Sequence, residues 1–222
     1  MQTLRIWDLP TRLFHWLLAA CIVGLVVTGQ LGGNIMVWHF RLGYTVFSLL
    51  LFRLVWGVVG GYWSRFSSFI YAPQTILSYL RGQYRPEHAA GHNPLGALSV
   101  FALLGLLAAQ VAAGLISDDE IAFAGPLTRF VSSATVSLAT SYHKEVGKLI
   151  LLALIGLHIA AVVFYRLKKQ ENLIKPMIQG DKLLPPVPDL PSSRDDARSR
   201  ILAAFVLASC AGAVAWVASL GG

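Results

Sequence analysis

Apolar residues gather into five runs along the 222-residue chain, with most of the charge between them. The runs cover about 13–31, 37–59, 94–116, 143–165 and 201–220. Each is about 20 residues long, which at ~1.5 Å per residue matches a hydrocarbon core of roughly 30 Å. The pattern predicts an all-α integral membrane protein. Asn93-Pro94 opens the third run with a helix-start signal, a capping side chain followed by proline at the first helical position. Between the second and third runs, residues 73–79 suit a short interfacial helix. The first run follows Arg5 and Arg12, as a signal peptide would. Pro10, His15 and a tryptophan-rich start argue instead for a retained span.

Composition sharpens this picture. Hydrophobic residues make up 55% of the chain and charged residues 13%, and mean hydropathy is +0.61, too apolar for a soluble domain. The net charge of +7 is loop charge, with no basic cluster interleaved with aromatics, so nucleic acid is not an expected partner. With the N-terminus inside, the inner segments hold 13 of the 18 Lys and Arg residues. The outer loop sets Arg129 against Asp118, Asp119 and Glu120. This bias predicts a cytoplasmic N-terminus and a periplasmic C-terminus. Cys21 and Cys210 both lie in apolar runs and read as buried thiols.

Four histidines then stand out. His143 and His158 share the fourth span, roughly 22 Å apart along a continuous helix and within ~60° around it. Given the orientation, His15 and His158 fall at the inner depth, and His39 and His143 near the outer surface. Ionisable groups inside a span are costly and usually paired or functional. Two depth-matched pairs suit two bis-imidazole metal centres. Two imidazoles are too few for structural zinc, which takes four ligands, but they complete a haem iron whose macrocycle supplies the rest. Gly43 and Gly147, each four residues after its histidine, would leave room for a flat ring, although glycines are common at membrane helix contacts. The alternative is a set of hydrogen-bonded core histidines. His88 and His92 read as solvated loop residues, with His92 also a candidate contact for a propionate or quinone. Arg53 either snorkels to the interface or pairs with an inner propionate, and Arg41 could do the same outside.

Several motifs carry a resemblance: IWDLPTRLFHW at the start, WHFRLGYTVFSLLLFRLVWG in the second span, GHNPLGAL entering the third, and HKEVGKLILLALIGLHIAAVVFY followed by ENLIKPMIQG. Over about Arg5 to Lys182 the chain resembles the bacterial cytochrome b561 family, which includes the b-type cytochrome subunits of membrane-bound nickel–iron hydrogenases. The resemblance implies a four-helix transmembrane bundle over 1–182 with two non-covalent b haems. His15, His39, His143 and His158 match the ligand positions, which gives His15 with His158 for the inner iron and His39 with His143 for the outer. A cytoplasmic linker over 183–200 and a fifth helix over 201–222 lie outside that core. The resemblance further implies electron transfer in the bacterial inner membrane between the quinone pool and a redox partner, a c-type cytochrome or a hydrogenase. Homodimer formation is open. Lys144 and Lys148 would favour the reduced outer haem, and His92 or Glu87 would serve quinone protonation. Two rival readings remain: a stand-alone superoxide:quinone oxidoreductase, and a haem-free transporter or scaffold with a histidine proton relay.

Overall fold

The computed structural model describes residues 1–83, 88, 90–186 and 188–221. In chain order the elements are β1 (Gln2–Arg5), α1 (Leu9–Leu31), α2 (Met36–Val59), α3 (Pro73–Leu80), α4 (Pro94–Leu115), α5 (Ser133–Ser141), α6 (Lys148–Lys168), α7 (Ile174–Gln179), β2 (Asp181–Leu184) and α8 (Ala197–Ser219). A six-residue π-helical turn, Tyr142–Gly147, joins α5 to α6. The protein is an all-α, multi-pass membrane protein with five helices long and apolar enough to span a bilayer, and α2 is the best buried of them. Large apolar side chains such as Val58, Leu157, Ile201 and Phe205 stand outward. That exposure would be costly in water, but it suits helices whose backbone groups are satisfied internally and whose side chains meet lipid.

The expected starts and stops hold to within a few residues, with one exception. The fourth span begins at Ser133, because Ser132 caps the helix by accepting from the Thr135 amide at 3.2 Å. The last ten residues of the expected outer loop, 133–142, are therefore helix. Asn93 does cap α4, accepting from the Gly96 amide at 2.8 Å.

The described residues divide into two compact units. The first comprises Met1–Phe14, Arg53–Ala102 and Gly156–Phe205; the second comprises His15–Phe52, Leu103–Ile155 and Val206–Gly222.

The first unit is organised by carboxylates. Asp8 is fully buried and accepts from the Thr11 amide (2.8 Å), the Ser64 hydroxyl (2.8 Å), the Gly61 amide (3.0 Å) and the Trp56 indole (3.2 Å). The first of these bonds caps α1, and the rest spread the charge over fixed donors, which makes a buried carboxylate tolerable. Antiparallel β1 and β2 pair from Gln2↔Leu184 to Arg5↔Asp181. Gly180, in the left-handed conformation at φ 92°, ends α7 and offers its carbonyl to the amides of Ile6 and Trp7. Ile6, Trp7, Trp63, Ala90 and Leu184 form a small core.

Within 183–200, expected as a cytoplasmic linker, the described residues 191–195 are strapped to this core. Ser193 donates to the Ile6 carbonyl and accepts from the Trp63 amide, and the Trp63 indole donates to the Pro191 carbonyl. Asp195 fastens the strap through Arg5, Arg200 and the Leu9 amide. Burial pushes the Asp195 carboxyl up, but Arg200, the Leu9 amide and Arg5 outweigh it and hold it below the ordinary value. The neighbouring tyrosines are likewise tied in. Tyr79 and Tyr165 hydroxyls lie 2.9 Å apart, and the Asn93 amide donates to Tyr165 at 2.9 Å.

The strap generates a prediction with a definite sign. A depressed carboxyl stabilises the fold above its unfolded value of about 3.9 and loses that contribution as pH falls through its lower folded value. Protease cleavage within the strap should therefore stay slow from neutral pH down to that window and accelerate only below it. Asp195→Ala, which removes several charged hydrogen bonds at about 1–3 kcal/mol in total, should make the strap protease-sensitive at neutral pH. Unchanged cleavage of Asp195→Ala would show that the carboxylate does not fasten it.

Candidate functional site

The second unit brings together two of the four sequence-selected histidines. His39 in the first turn of α2 and His143 in the π-helical turn face one another, with ring centroids 6.1 Å apart and planes crossed at 83°. Both rings line an apolar cavity of about 240 Å³, along with Gly43, Val46, Leu107 and Leu151. Lys144, Lys148, Asp118 and Asp119 line it as well. The amides of Phe123, Ala122 and Ile121 hold the Asp119 carboxyl below its ordinary value.

Each imidazole is anchored by one nitrogen to the backbone of a neighbouring span. His39 Nδ1 lies 3.1 Å from the Leu25 carbonyl of α1, and His143 Nδ1 lies 2.9 Å from the Gln110 carbonyl of α4. A carbonyl only accepts, so Nδ1 carries the proton in both rings and Nε2 keeps its lone pair. Thr28, whose hydroxyl donates to the Gly24 carbonyl, lies 3.3 Å from the same nitrogen of His39. The Gln110 side chain adds a second tie, donating through Nε2 to the His143 carbonyl at 2.8 Å. His143 lies within the six-residue π turn, a local form frequent at functional sites.

The geometry fits a metal held between two imidazoles. Metal–imidazole bonds run about 2.0–2.1 Å, so two imidazoles sharing one metal ion would have ring centroids up to roughly 6 Å apart, against the 6.1 Å here. Among the described residues no three His, Cys, Asp or Glu side chains gather as a metal site, so a four-ligand centre has no ligands to draw on. Two free lone pairs, the matching separation and an adjoining apolar cavity fit a haem, whose macrocycle supplies the remaining ligands.

The glycines expected to admit a flat ring divide. Gly43 lines the cavity, and a β-carbon there would meet nothing. Gly147 is different: a β-carbon would fall on Gln110 Oε1 and the Tyr142 ring, so its space is already filled by protein. Sequence reasoning missed Thr28 and Gln110. The available signal was Gln110 itself, an amide within a nearly uninterrupted apolar run.

His15, half-buried, meets the edge of Trp16 and belongs to the second unit. His158, also half-buried, belongs to the first. His88 and His92 are not solvated. His88 is 8% exposed and packs edge-on against Tyr71 and Tyr79, while His92 lies between Trp7 and Phe69. Glu87 lies outside the described residues. Arg53 does not snorkel: it is 3% exposed, its guanidinium sits 4.5 Å over Phe66, and Nη1 is buried without a protein partner among the described residues. Arg41 instead stacks over Trp38 at 4.9 Å. Cys21 and Cys210 are buried free thiols, as expected.

Comparison with known proteins addresses the chain's family. The family model for prokaryotic cytochrome b561 matches residues 6–180. A probable Ni/Fe-hydrogenase B-type cytochrome subunit of Rhizobium leguminosarum bv. viciae is 24% identical, covering 82% of this chain and 90% of the relative. The protein of the same description from Bradyrhizobium diazoefficiens is 25% identical over 81% and 86%. That from Cupriavidus necator is 31% identical over 43% and 50%. No solved structure matches the chain. With the family model spanning most of its length, this chain belongs to the prokaryotic cytochrome b561 family.

Proposed function

We propose that the protein carries electrons across the bacterial inner membrane through two bis-histidine b haems, between the quinone pool and a partner redox protein. The facing His39 and His143 rings, each with Nδ1 on a carbonyl, are the observation that carries this reading. They would hold the outer haem, and His15 with His158 the inner one. The family's cytochrome chemistry supports b-type haem as the cofactor, and each haem supplies a one-electron couple.

The chain's own residues determine how that couple behaves. His39 with His143, and His15 with His158, would each hold one iron and leave it no room for a substrate ligand, so exchange would be outer-sphere. The Leu25 and Gln110 carbonyls raise imidazole basicity, which favours the oxidised iron. Lys144 and Lys148 act in the opposite direction, favouring the reduced one. Buried Arg53, with Nη1 unpartnered among the described residues, suits a propionate of the inner haem. Residues 1–182 would form the dihaem domain, 183–200 its cytoplasmic linker and 201–222 an added span, with the N-terminus in the cytoplasm and the C-terminus in the periplasm. On the likeness to relatives described as Ni/Fe-hydrogenase B-type cytochrome subunits, we assign a hydrogenase-like partner ahead of a c-type cytochrome.

Reduced-minus-oxidised spectra of the purified protein should give two low-spin b haems per chain. His39→Ala and His143→Ala should each abolish the same haem and spare the other, and His15→Ala and His158→Ala the reverse. A single centre emptied by both His39→Ala and His15→Ala would overturn the pairing. The crossed ring planes further predict a highly anisotropic low-spin ferric resonance for the haem lost in His143→Ala. Gln110→Leu removes the tie to the His143 carbonyl and keeps the Gln110 backbone carbonyl, so it should cost about 1–2 kcal/mol, read as a lower Tm in detergent with the haem retained.

A further inference from the structure

We propose that Gly29 and Gly114 are positioning residues, each forming the seat that lets a ligand imidazole reach a backbone carbonyl. The inference rests on the assignment of His39 and His143 as ligands of one haem. The two seats share one design. His39 Nδ1 bonds the carbonyl of Leu25 and His143 Nδ1 that of Gln110; Gly29 and Gly114 each lie four residues further along the same helix. In an α-helix the carbonyl of residue i already accepts from the amide of residue i+4. A second donor must use its other lone pair, and it arrives beside residue i+4. A β-carbon at that residue stands against the incoming ring.

The distances bear this out. A β-carbon on Gly29 would lie 3.2 Å from His39 Cε1 and 3.3 Å from its Nδ1. On Gly114 it would lie 2.9 Å from His143 Cε1 and 3.2 Å from Nδ1. The first contact is tight enough to push the ring by a few tenths of an ångström; the second cannot be kept without moving the ring. Neither glycine has a positive φ, and alanine is the better helix former at both, so the helix itself gives no reason for glycine there. The neighbouring imidazole does. Gly105, also in α4, meets nothing within 4 Å and serves as the control.

What the seat controls is the imidazole's hydrogen bond. A ring displaced from its carbonyl is a weaker base and stabilises oxidised iron less. In Gly114→Ala the reduction potential of the haem that disappears in His143→Ala should move upward and its ferric resonance change. Gly29→Ala should give a smaller shift of the same sign, and the other haem should stay at its wild-type potential. Gly105→Ala should leave both at wild-type values. In haem-depleted protein carrying ¹⁵N-histidine, the hydrogen-bonded Nδ1 resonance of His143 should shift in Gly114→Ala.

If Gly114→Ala and Gly29→Ala both accumulate in the membrane with potentials and resonances unchanged, the seats are not there. If neither accumulates while Gly105→Ala does, the glycines are a packing requirement and the positioning role is overturned. Retention of both haems in His143→Ala would instead sink the ligand assignment on which the seats rest. Loss of one haem there, with the glycine variants at wild-type potential, would sink the seats alone.

Discussion

An imidazole has two nitrogens, and in a membrane neither can be left to water. One must be satisfied by protein if the other is to hold a metal. His39 and His143 meet this constraint in the same way, by giving Nδ1–H to a carbonyl of an adjacent span. Much of the second unit follows from that requirement. A neighbouring helix must come close enough to offer a carbonyl, small residues must stand where the ring approaches, and the fourth span must turn so that His143 reaches its acceptor. The π turn, Gln110 and Thr28 are parts of one arrangement, and the cavity is the space it encloses.

The first unit solves a different electrostatic problem. It has a buried carboxylate, Asp8, with every contact a fixed dipole, and a buried guanidinium, Arg53, resting on an aromatic ring in the field of that carboxylate. Charges this deep are tolerated only where donors or partners surround them. The Asp195 cluster at the strap is more accessible and ties the chain's two ends of the unit together.

Much of this was legible in the sequence, because length and hydropathy fix membrane spans almost alone. The five spans, the Asn93 cap and the short helix at Pro73 follow from run length and local capping chemistry. The facing of His39 and His143 follows from their shared depth. What stayed hidden depended on contacts between distant segments. The π turn leaves no mark in an apolar run, so residues 142–147 read as ordinary α-helix. Gly147 looked like room for a cofactor, but the Gln110 side chain fills it, and no local pattern could show that. His88 and His92 sit among loop-like residues, and only the fold encloses them between Trp7, Phe69, Tyr71 and Tyr79. Proline and charge make 183–200 read as a linker; its attachment, through Ser193 and Asp195 reaching back to the beginning of the chain, has no local signal.

That return has a consequence for how the molecule is built. The pairing of Arg5 with Asp181 joins residues 176 positions apart, and four spans lie between the two strands. During synthesis β1 emerges early and waits, without its partner strand, while those four spans are delivered to the bilayer. The Ile6–Trp7 core can close only when β2 and Ser193 have left the ribosome. Closure of this clasp therefore comes after the fourth span has been made and its following segment has returned to the side of β1.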